Sequence, residues 1–385
     1  MGSHKGHQAS TMSIDIRQVQ SRKDLKKFIF LPEKLHKDHK NWLPPIYIDE
    51  WKYFNPKKNR EFIFCETILY LAYKNGRPAG RIMGIINNKY NKYRGIRQAR
   101  FGYFECINDP ELAGRLLQSI ETWGREQGME HIIGPYGFSD KDPQGFLVEG
   151  YEHIPIPVSA CNFPYMNKLV EAAGYKKEID CLVYKYDLSN DLPEIYGRVF
   201  NRVKQSGNFQ FHEFTTKKEM NPFVMPVLSL MNDAYGDIYG FAPLDEKEMK
   251  DLASRYMPIL NPHFVKAISH KEELVGFLVG LPNLSKGIQR SRGRLFPFGL
   301  VKIIIDSKKT SQVDLMLVGI KEAFRGRGLD VILAMKLVES ARKLGYKNIE
   351  VHLMLETNKR VLGEMNKAGA KPHKRFRVYR KGLRP

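Results

Sequence analysis

Cysteine and long apolar runs are scarce in this 385-residue sequence, and both shortages exclude whole classes of protein. The four cysteines stand in unlike contexts without a CxxC pair, namely Cys65, Cys106, Cys161 and Cys181. This pattern argues against a disulfide framework and a zinc site, and it favours reduced thiols in a cytoplasm. No run approaches the roughly 18 apolar residues of a membrane-spanning helix. The 11 histidines form no HxxxH or HExxH pair, so the sequence predicts no metal ligand.

The charge of the chain is strongly of one sign, with 62 Lys and Arg against 42 Asp and Glu and a net charge of +20. A basic surface attracts polyanions such as nucleic acid, anionic lipid headgroups, a phosphorylated cofactor or an acidic carrier protein. The basic residues are spread along the chain without a zinc-finger, RNP or helix-turn-helix pattern, so the sequence does not favour nucleic acid. A generally basic surface that aids solubility is the simpler alternative.

The length of the chain favours two domains. Residues 1–11 resemble an expression leader, which makes Met12 the expected natural start. Strands are predicted at 68–73, 79–86 and 100–105. A helix then begins at Asp109 and Pro110, an N-cap and a first-turn proline. Its apolar stripe is Leu112, Leu116, Ile120 and Trp123, and it leads to a strand at 131–133 and a long loop at 134–157.

The second half repeats this order of elements. Strands at 264–269 and 274–281 form a hairpin, a basic loop spans 286–294, and an apolar strand covers 313–320. The following helix carries the stripe Leu329, Leu333, Leu337, Ala341 and Leu344, and a strand at 348–353 comes after it.

A short gapless similarity also links the two halves. Residues 173–185 (AGYKKEIDCLVYK) align with residues 368–380 (AGAKPHKRFRVYR), with matches at Ala, Gly, Lys, Val and Tyr. Because the order of the preceding elements agrees as well, we expect two copies of one fold. The expected domains are residues 12–190 and 191–385, joined near 187–193.

The tetrapeptide Arg325-Gly326-Arg327-Gly328 lies between a buried strand and an amphipathic helix. Backbone N–H groups at such a turn point outward, and the helix dipole adds positive charge, so the turn suits a pyrophosphate. A solvated turn that caps the helix is the alternative for this motif taken alone.

The second half resembles the GNAT superfamily of acyl-CoA N-acyltransferases in the order of its elements. That order is strand, RGRG, helix, strand, Asn358, short helix and final strand. The resemblance implies an α/β fold of two tandem GNAT-like domains, each a mixed, mostly antiparallel sheet flanked by helices. It implies acetyl-CoA or a longer acyl-CoA as the donor. Pantetheine would bind the backbone of a splayed strand, the pyrophosphate would bind a loop, and Asn358 would lie near the thioester. The strand residues are Leu317, Val318, Gly319 and Ile320; the loop residues are Arg325, Gly326, Arg327, Gly328, Leu329 and Asp330.

Two positions depart from the family pattern. Asp330 stands where the family has Gly or Ala, and Met365 stands where it often has a tyrosine that protonates the leaving thiolate. Tyr379 is the substitute candidate for that acid, with a strand aromatic as the alternative reading. Asp314, on the strand before the loop, is the candidate base for the amine. A solvated or lysine-paired aspartate is the alternative there.

The first half lacks the glycine motif, since its equivalent turn reads CINDP at 106–110. We therefore expect a degenerate copy that does not bind CoA, whose loop at 134–157 forms a lid or acceptor wall beside the second copy. Candidate acceptor contacts are Glu105, Asn162 and Tyr165, although residues 162–165 also suit a turn into a packed helix.

These observations predict an N-acyltransferase that moves an acyl group from acyl-CoA, or from an acyl carrier protein, to a primary amine. The apolar run 295–300 and the basic surface suit an acceptor or acyl chain of lipid character, although core packing explains the same apolar residues. The expected location is the cytoplasm, from the cysteine pattern, with the membrane periphery as an extension. We expect a positive rim beside the cofactor, with a solvated loop at 286–294 as the alternative. The candidate rim residues are Lys321, Arg325 and Arg327, with Lys286, Arg290, Arg292 and Arg294 from the basic loop. The alternatives are a catalytically inactive GNAT-like binding module and, on charge alone, a nucleic-acid-binding protein. The sequence indicates no oligomeric state.

Overall fold

The structure, a computed structural model, describes residues 13–236 and 238–383. The expected leader, with Met12, lies outside the described residues. The strands of the first half are β1 (Ile14–Gln18), β2 (Cys65–Lys74), β3 (Arg77–Asn87), β4 (Gln98–Cys106), β5 (His131–Gly134), β6 (Phe146–Glu149) and β7 (Lys176–Asp187). Its helices are α1 (Arg22–Leu35), α2 (Tyr47–Tyr53), α3 (Asn88–Arg94), α4 (Pro110–Glu126) and α5 (Pro164–Ala172).

The second half repeats the scheme with additions. Its strands are β8 (Phe209–Glu213), β9 (Val265–His270), β10 (Glu273–Pro282), β11 (Gln312–Ile320), β12 (Asn348–Leu355) and β13 (Lys371–Gly382). Its helices are α6 (Glu194–Gln205), α7 (Lys217–Met220), α8 (Val224–Tyr235), α9 (Glu246–Tyr256), α10 (Ser285–Ser291), α11 (Gly299–Lys309), α12 (Leu329–Lys343) and α13 (Lys359–Lys367).

The 13 strands of the described residues belong to one sheet, in the order β1-β2-β3-β4-β5-β13-β7-β12-β11-β10-β9-β8, with β6 on β13. Only β4–β5 and β11–β12 are parallel; the other pairs are antiparallel. The predicted α/β architecture of two similar, mostly antiparallel copies with flanking helices is therefore confirmed. The two halves exchange their last strands, because β13 pairs with β5 and β7 pairs with β12.

The exchanged strands pair with each other around a local two-fold axis. Cys181 lies opposite Phe376, Asp180 opposite Arg377, and Leu182 opposite Arg375. The gapless alignment of the two segments also matches Cys181 with Phe376, so the structural pairing has the symmetry that a duplication requires. The Asp180 carboxylate, which is fully buried, accepts hydrogen bonds from Arg377 Nε at 2.8 Å and Arg377 Nη2 at 3.0 Å.

Local signals in the sequence explain several element boundaries. Asn75 and Gly76 both have positive φ in the β2–β3 turn, as that hairpin turn requires. Asp109 caps α4 by accepting a hydrogen bond from the Leu112 backbone nitrogen at 3.1 Å. The predicted stripes of α4 and α12 lie in the two main cores, except that Trp123 is only partly buried and Leu344 is exposed.

The predicted basic loop at 286–294 is wrong, because most of that segment is helix α10 and a second helix, α11, follows it. Gly287 allows the two helices to approach closely, since a β-carbon there would lie 2.7 Å from Ile303 Cα. Packing between these helices overrides the local Gly and Ser content that suggested a loop. None of the helices in the part of the chain that the structure describes is long and apolar enough to cross a membrane.

Candidate active site

The strands β11 and β12 separate midway and leave a V-shaped opening. Residues 312–315 of β11 pair with residues 348–351 of β12, and beyond that point both strands continue without pairing to each other. A bulge lies on each side of the opening. On β11 the extra residue is Met316, because Val279 pairs with Leu317 and Gly280 with Leu315.

The turn 325–328 connects this opening to the N-terminus of α12. Gly326 has φ 80° and Gly328 has φ 84°, in the left-handed region that favours glycine. A β-carbon on Gly328 would lie 2.4 Å from Val199 Cγ1, whereas one on Gly326 would meet open space. The Arg325 guanidinium donates to the Ile320 and Ala234 carbonyl oxygens at 3.3 and 3.1 Å. The turn is therefore open to solvent yet fixed at both ends, which suits a phosphate ligand.

Asp330 lies in the first turn of α12, and its carboxylate is 3.6 Å from Arg360 Nη2 of α13. This ion pair offsets the negative charge of Asp330, the residue that stands where the family has Gly or Ala. Asn358 caps α13 by accepting a hydrogen bond from the Val361 backbone nitrogen at 3.3 Å. Asp330, Arg360 and Asn358 all line the cavity that begins at the opening.

The cavity has a volume of about 500 Å³ and runs from the opening between β11 and β12 to the space beneath α8 and α9. Its size is in the range of about 300–1,000 Å³ that is typical of small-molecule sites. The wall under the two helices is apolar, and it includes Val227, Leu228, Met231, Leu252, Ala253 and Met257. A long alkyl chain would find few unsatisfied polar groups there.

Tyr235, at the end of α8, occupies the exposed edge of β11. Its hydroxyl lies 3.0 Å from the Val318 carbonyl oxygen and 3.1 Å from the Val318 backbone nitrogen. These are the backbone groups that β12 leaves free by separating from β11. Tyr235 was not anticipated from the sequence, because its position depends on how α8 packs across the sheet.

The first half contributes one wall of the cavity, as its long loop was expected to do. Asp140, Lys141, Asp142 and Gln144 line the cavity from that loop. Asp142 accepts hydrogen bonds from the Tyr53 hydroxyl at 3.1 Å and the Ser139 backbone nitrogen at 3.2 Å. Burial raises the pKa of the Asp142 carboxyl. The site thus places carboxyl groups beside an apolar space.

Asp314 lies in a buried polar cluster next to the cavity, not among the residues that line it. Its carboxylate accepts hydrogen bonds from Asn283 Nδ2 and Gln312 Nε2, each at 2.8 Å. Burial and the neighbouring Glu350 carboxylate raise the pKa of Asp314 to about 7. Glu350 is itself held 2.9 Å from Lys374 Nζ, and hydrogen bonds from His373 and Lys374 lower its pKa to about 2 despite its burial.

His352 is a cavity residue that the sequence analysis missed. It belongs to a bulge in β12, since Val351 pairs with Tyr184 and Met354 with Leu182. Its Nε2 is 3.3 Å from Ser159 Oγ, and its buried Nδ1 has no hydrogen-bond partner among the described residues. Burial lowers the pKa of His352 to about 4, so the ring is neutral at pH 7. Only the bulge, which the sequence does not reveal, distinguishes it from an ordinary strand histidine.

The remaining predicted site residues lie elsewhere. Tyr379 is buried in the first-half core, where its hydroxyl bonds to Asn167 Oδ1 at 2.9 Å and Glu171 Oε1 at 3.0 Å. Glu105 pairs with Arg81 at 3.0 Å, Asn162 bonds the Leu147 backbone nitrogen at 2.7 Å, and Tyr165 donates to the Cys106 carbonyl oxygen at 2.8 Å. None of the four lines the cavity.

The equivalent pair of strands in the first half is β4 and β5. β4 and β5 pair only from Gln98 and His131 to Arg100 and Ile133. Tyr136 and Phe138, both fully buried, follow β5, and the Arg100 guanidinium carbon lies 4.7 Å from the centre of the Tyr136 ring.

The separated strands, the glycine turn before a helix and the adjoining cavity define an acyltransferase of the GNAT type. A solved tandem GNAT protein from the clavulanic acid biosynthesis pathway is 11% identical and covers 97% of this chain and 99% of its own, with a TM-score of 0.56. A GCN5-related N-acetyltransferase from Sphaerobacter thermophilus is 13% identical, covers 97% and 96%, and has a TM-score of 0.54. At these identities the likeness is one of fold.

The sequence relatives identify the family. A bacterial ceramide synthase from Caulobacter vibrioides is 30% identical over 384 residues, covering 97% of this chain and 99% of the relative. The chain belongs to the family of that protein. Protein YghO from Escherichia coli is 25% identical over 380 residues, covering 96% of this chain and 95% of YghO. No family model matches the chain.

Proposed function

We propose that this acyltransferase moves a long fatty acyl group from acyl-CoA to the primary amine of a long-chain amino alcohol. The observation that carries the proposal is the apolar cavity of about 500 Å³ that adjoins the glycine turn and the separated strands. A ceramide is a long-chain amino alcohol with a fatty acyl group on its nitrogen. The name of the Caulobacter relative therefore agrees with a cavity suited to alkyl chains.

The donor would bind along β11 and the glycine turn. The N–H groups that begin α12, together with the exposed Arg325 and Arg327, would bind the pyrophosphate. The free backbone edge at Val318 would bind pantetheine once the Tyr235 hydroxyl moves away. The thioester would then lie in the opening between β11 and β12, near Asn358, and the acyl chain would extend beneath α8 and α9. An acyl carrier protein is the alternative donor, since it carries the same pantetheine arm.

The acceptor would approach from the wall made by the first half. An amino alcohol in water is mostly an ammonium ion, and Asp140 and Asp142 are the carboxyl groups of this wall that could attract it. Asp140 is 2.6 Å from Lys141 Nζ, so the ammonium would compete with that lysine for the Asp140 carboxylate. The ammonium must lose a proton before its nitrogen can attack the thioester carbonyl carbon. Attack forms the C–N bond, and the nitrogen then gives up its second proton. Collapse of the tetrahedral intermediate breaks the C–S bond and releases the CoA thiolate, which takes up a proton to leave as free CoA.

We propose that His352 accepts the proton that the amine nitrogen releases once the C–N bond has formed, since a group with a pKa of about 4 is too weak a base to deprotonate the free ammonium. His352 lines the cavity, it is neutral at pH 7, and its Nδ1 has no other partner among the described residues. Asp314 is the second candidate, because its pKa of about 7 suits a general base at neutral pH. Asp314 would have to act through an intermediate group, since it does not line the cavity.

The test is a reconstitution with purified protein. Palmitoyl-CoA and a long-chain amino alcohol are incubated with the protein, and the amide and free CoA are quantified by mass spectrometry. The proposal predicts equal amounts of both products, with palmitoyl-CoA preferred over acetyl-CoA. A parallel reaction with palmitoyl-acyl carrier protein identifies the donor. Binding of palmitoyl-CoA without any amide would instead indicate a catalytically inactive CoA-binding module.

A further inference from the structure

The connection between β10 and β11 is a helical hairpin, α10 and α11, with an apolar outer face. Among the described residues, nearly half of the exposed large hydrophobic side chains lie within positions 296–305. Phe296 is 74% exposed and Phe298 70% exposed in the turn between the helices. The others follow at helical spacing on α11, namely Leu300, Val301, Ile304 and Ile305. A cluster of this kind on a monomer surface marks an interaction site.

The hairpin is firmly attached to the first half, so its exposed face is not a product of loose packing. Gln289 Nε2 donates to the Lys40 and Trp42 carbonyl oxygens at 3.0 and 3.1 Å. Arg294 forms a two-pronged ion pair with Glu33 at 2.6 and 3.0 Å. The Tyr47 backbone nitrogen donates to the Gly293 carbonyl oxygen at 3.0 Å. These contacts fix the inner side of the hairpin and leave the other side to solvent.

The charge around the apolar face is almost entirely positive. Residues 285–309 contain seven Lys and Arg and one acidic residue, Asp306, which pairs with Arg290 at 2.6 Å. Lys302, Lys308 and Lys309 are exposed on α11, and no described carboxylate lies within ion-pair distance of them. The equivalent connection in the first half is only the short helix α3. The prediction that residues 286–294 form a basic rim beside the cofactor is also wrong, because the hairpin joins β11 at the end opposite the glycine turn.

We propose that the α10–α11 hairpin binds the surface of an anionic lipid bilayer. Large apolar side chains bordered by lysines are the chemistry of helices that lie in the interface of a membrane. Each lysine near an anionic surface strengthens such binding by electrostatic attraction. A second copy of this chain is a poorer partner, because two such faces would bring lysines against lysines. The surface is separate from the cavity, so this binding does not depend on acyl transfer.

Cosedimentation with vesicles tests this proposal on the full chain without substrates. The wild type is expected to bind vesicles of phosphatidylcholine with phosphatidylglycerol, and to bind pure phosphatidylcholine vesicles much less. The double variant Phe296→Ser, Phe298→Ser should lower the vesicle partition coefficient by at least about tenfold, because each substitution removes a large apolar side chain from the membrane interface. The triple variant Lys302→Gln, Lys308→Gln, Lys309→Gln should lower binding only to the anionic vesicles, and the difference should vanish at high salt.

The matched control is Ile195→Ser, which removes an exposed isoleucine from α6 and should leave vesicle binding unchanged. Melting curves of every variant separate loss of binding from loss of folding. Equal binding by the wild type and the double phenylalanine variant would overturn the proposal. So would a dimer, or a complex with an acidic acyl carrier protein, that depends on Phe296 and Phe298 while vesicles are not bound.

Discussion

The Tyr235 hydroxyl bridges the backbone nitrogen and carbonyl oxygen of Val318, at 3.1 and 3.0 Å, where β11 has lost β12 as a neighbour. A side chain thus satisfies the strand edge on which the proposed pantetheine arm would form its own hydrogen bonds. The donor must displace this hydroxyl, and the free energy of the two hydrogen bonds opposes its binding.

The variant Tyr235→Phe should therefore lower the KM for the acyl donor by at least about fivefold, since each of the two hydrogen bonds contributes about 1 kcal/mol net. Tyr239→Phe is the control, because that cavity tyrosine has a buried hydroxyl without a hydrogen-bond partner among the described residues. Its donor KM should change little. A donor KM that stays constant or rises in Tyr235→Phe would show that the hydroxyl does not compete with the donor.

CoA should bind the second half alone. Gly328→Val forces a β-branched residue to a φ of 84° and against Val199, so it should weaken CoA binding at least about tenfold. Asn108→Ala alters the corresponding turn of the first half and should leave the affinity unchanged. Isothermal titration calorimetry measures both, and equal losses would contradict the assignment of the site to residues 325–330.

The two candidate bases can be separated by their pH dependence. If His352 accepts the amine proton, His352→Ala should lower kcat/KM for the amine by about 10²–10⁴-fold. Asp314→Asn would then preserve the pH profile. If Asp314 is the base, the wild-type rate rises with pH through about 7, and Asp314→Asn removes that rise. A profile and rate that neither variant alters would exclude both residues as the proton acceptor.

The raised pKa of Asp314 also predicts how stability depends on pH. Its pKa is about 7 in the folded protein and near its ordinary value of 3.8 when unfolded, so the folded state binds the proton more tightly. The carboxyl therefore destabilises the fold increasingly as pH rises from about 4 to about 7. Asp314→Asn should raise Tm relative to the wild type at pH 8, and by less at pH 5. A larger gain at pH 5 than at pH 8 would contradict the raised pKa.

Much of the fold follows from the sequence because its signals are local. The stripe on α4, the cap at Asp109 and the turn at Asn75-Gly76 each depend on a few neighbouring residues, and the structure has them. The similarity of residues 173–185 to residues 368–380 also corresponds to the two-fold symmetry of the pair β7 and β13. It did not reveal that the two repeated strands pair with each other, since the choice of partner depends on the whole sheet.

The candidate site was less accessible to sequence reasoning. The glycine turn has a motif, but His352 reaches the cavity through a bulge and Tyr235 reaches Val318 through the packing of α8. Tyr379 was a substitute candidate for the acid, because Met365 stands at the family position of the tyrosine. The strand β13, inserted between strands of the first half, places Tyr379 in that core. Strand exchange places a residue in the core of the other half, and no local sequence pattern indicates that exchange.

The central claim is that the alkyl chain of the donor lies beneath α8 and α9, and chain-length specificity measures it directly. Acyl-CoAs of graded length are compared by kcat/KM for the wild type, for Ala253→Phe, which fills the cavity wall, and for Ser254→Phe, which adds the same side chain to the exposed face of α9. We expect Ala253→Phe to shift the preference to shorter chains, while Ser254→Phe keeps the wild-type profile. An unchanged preference in Ala253→Phe, with the protein folded and active, would contradict this account of the cavity.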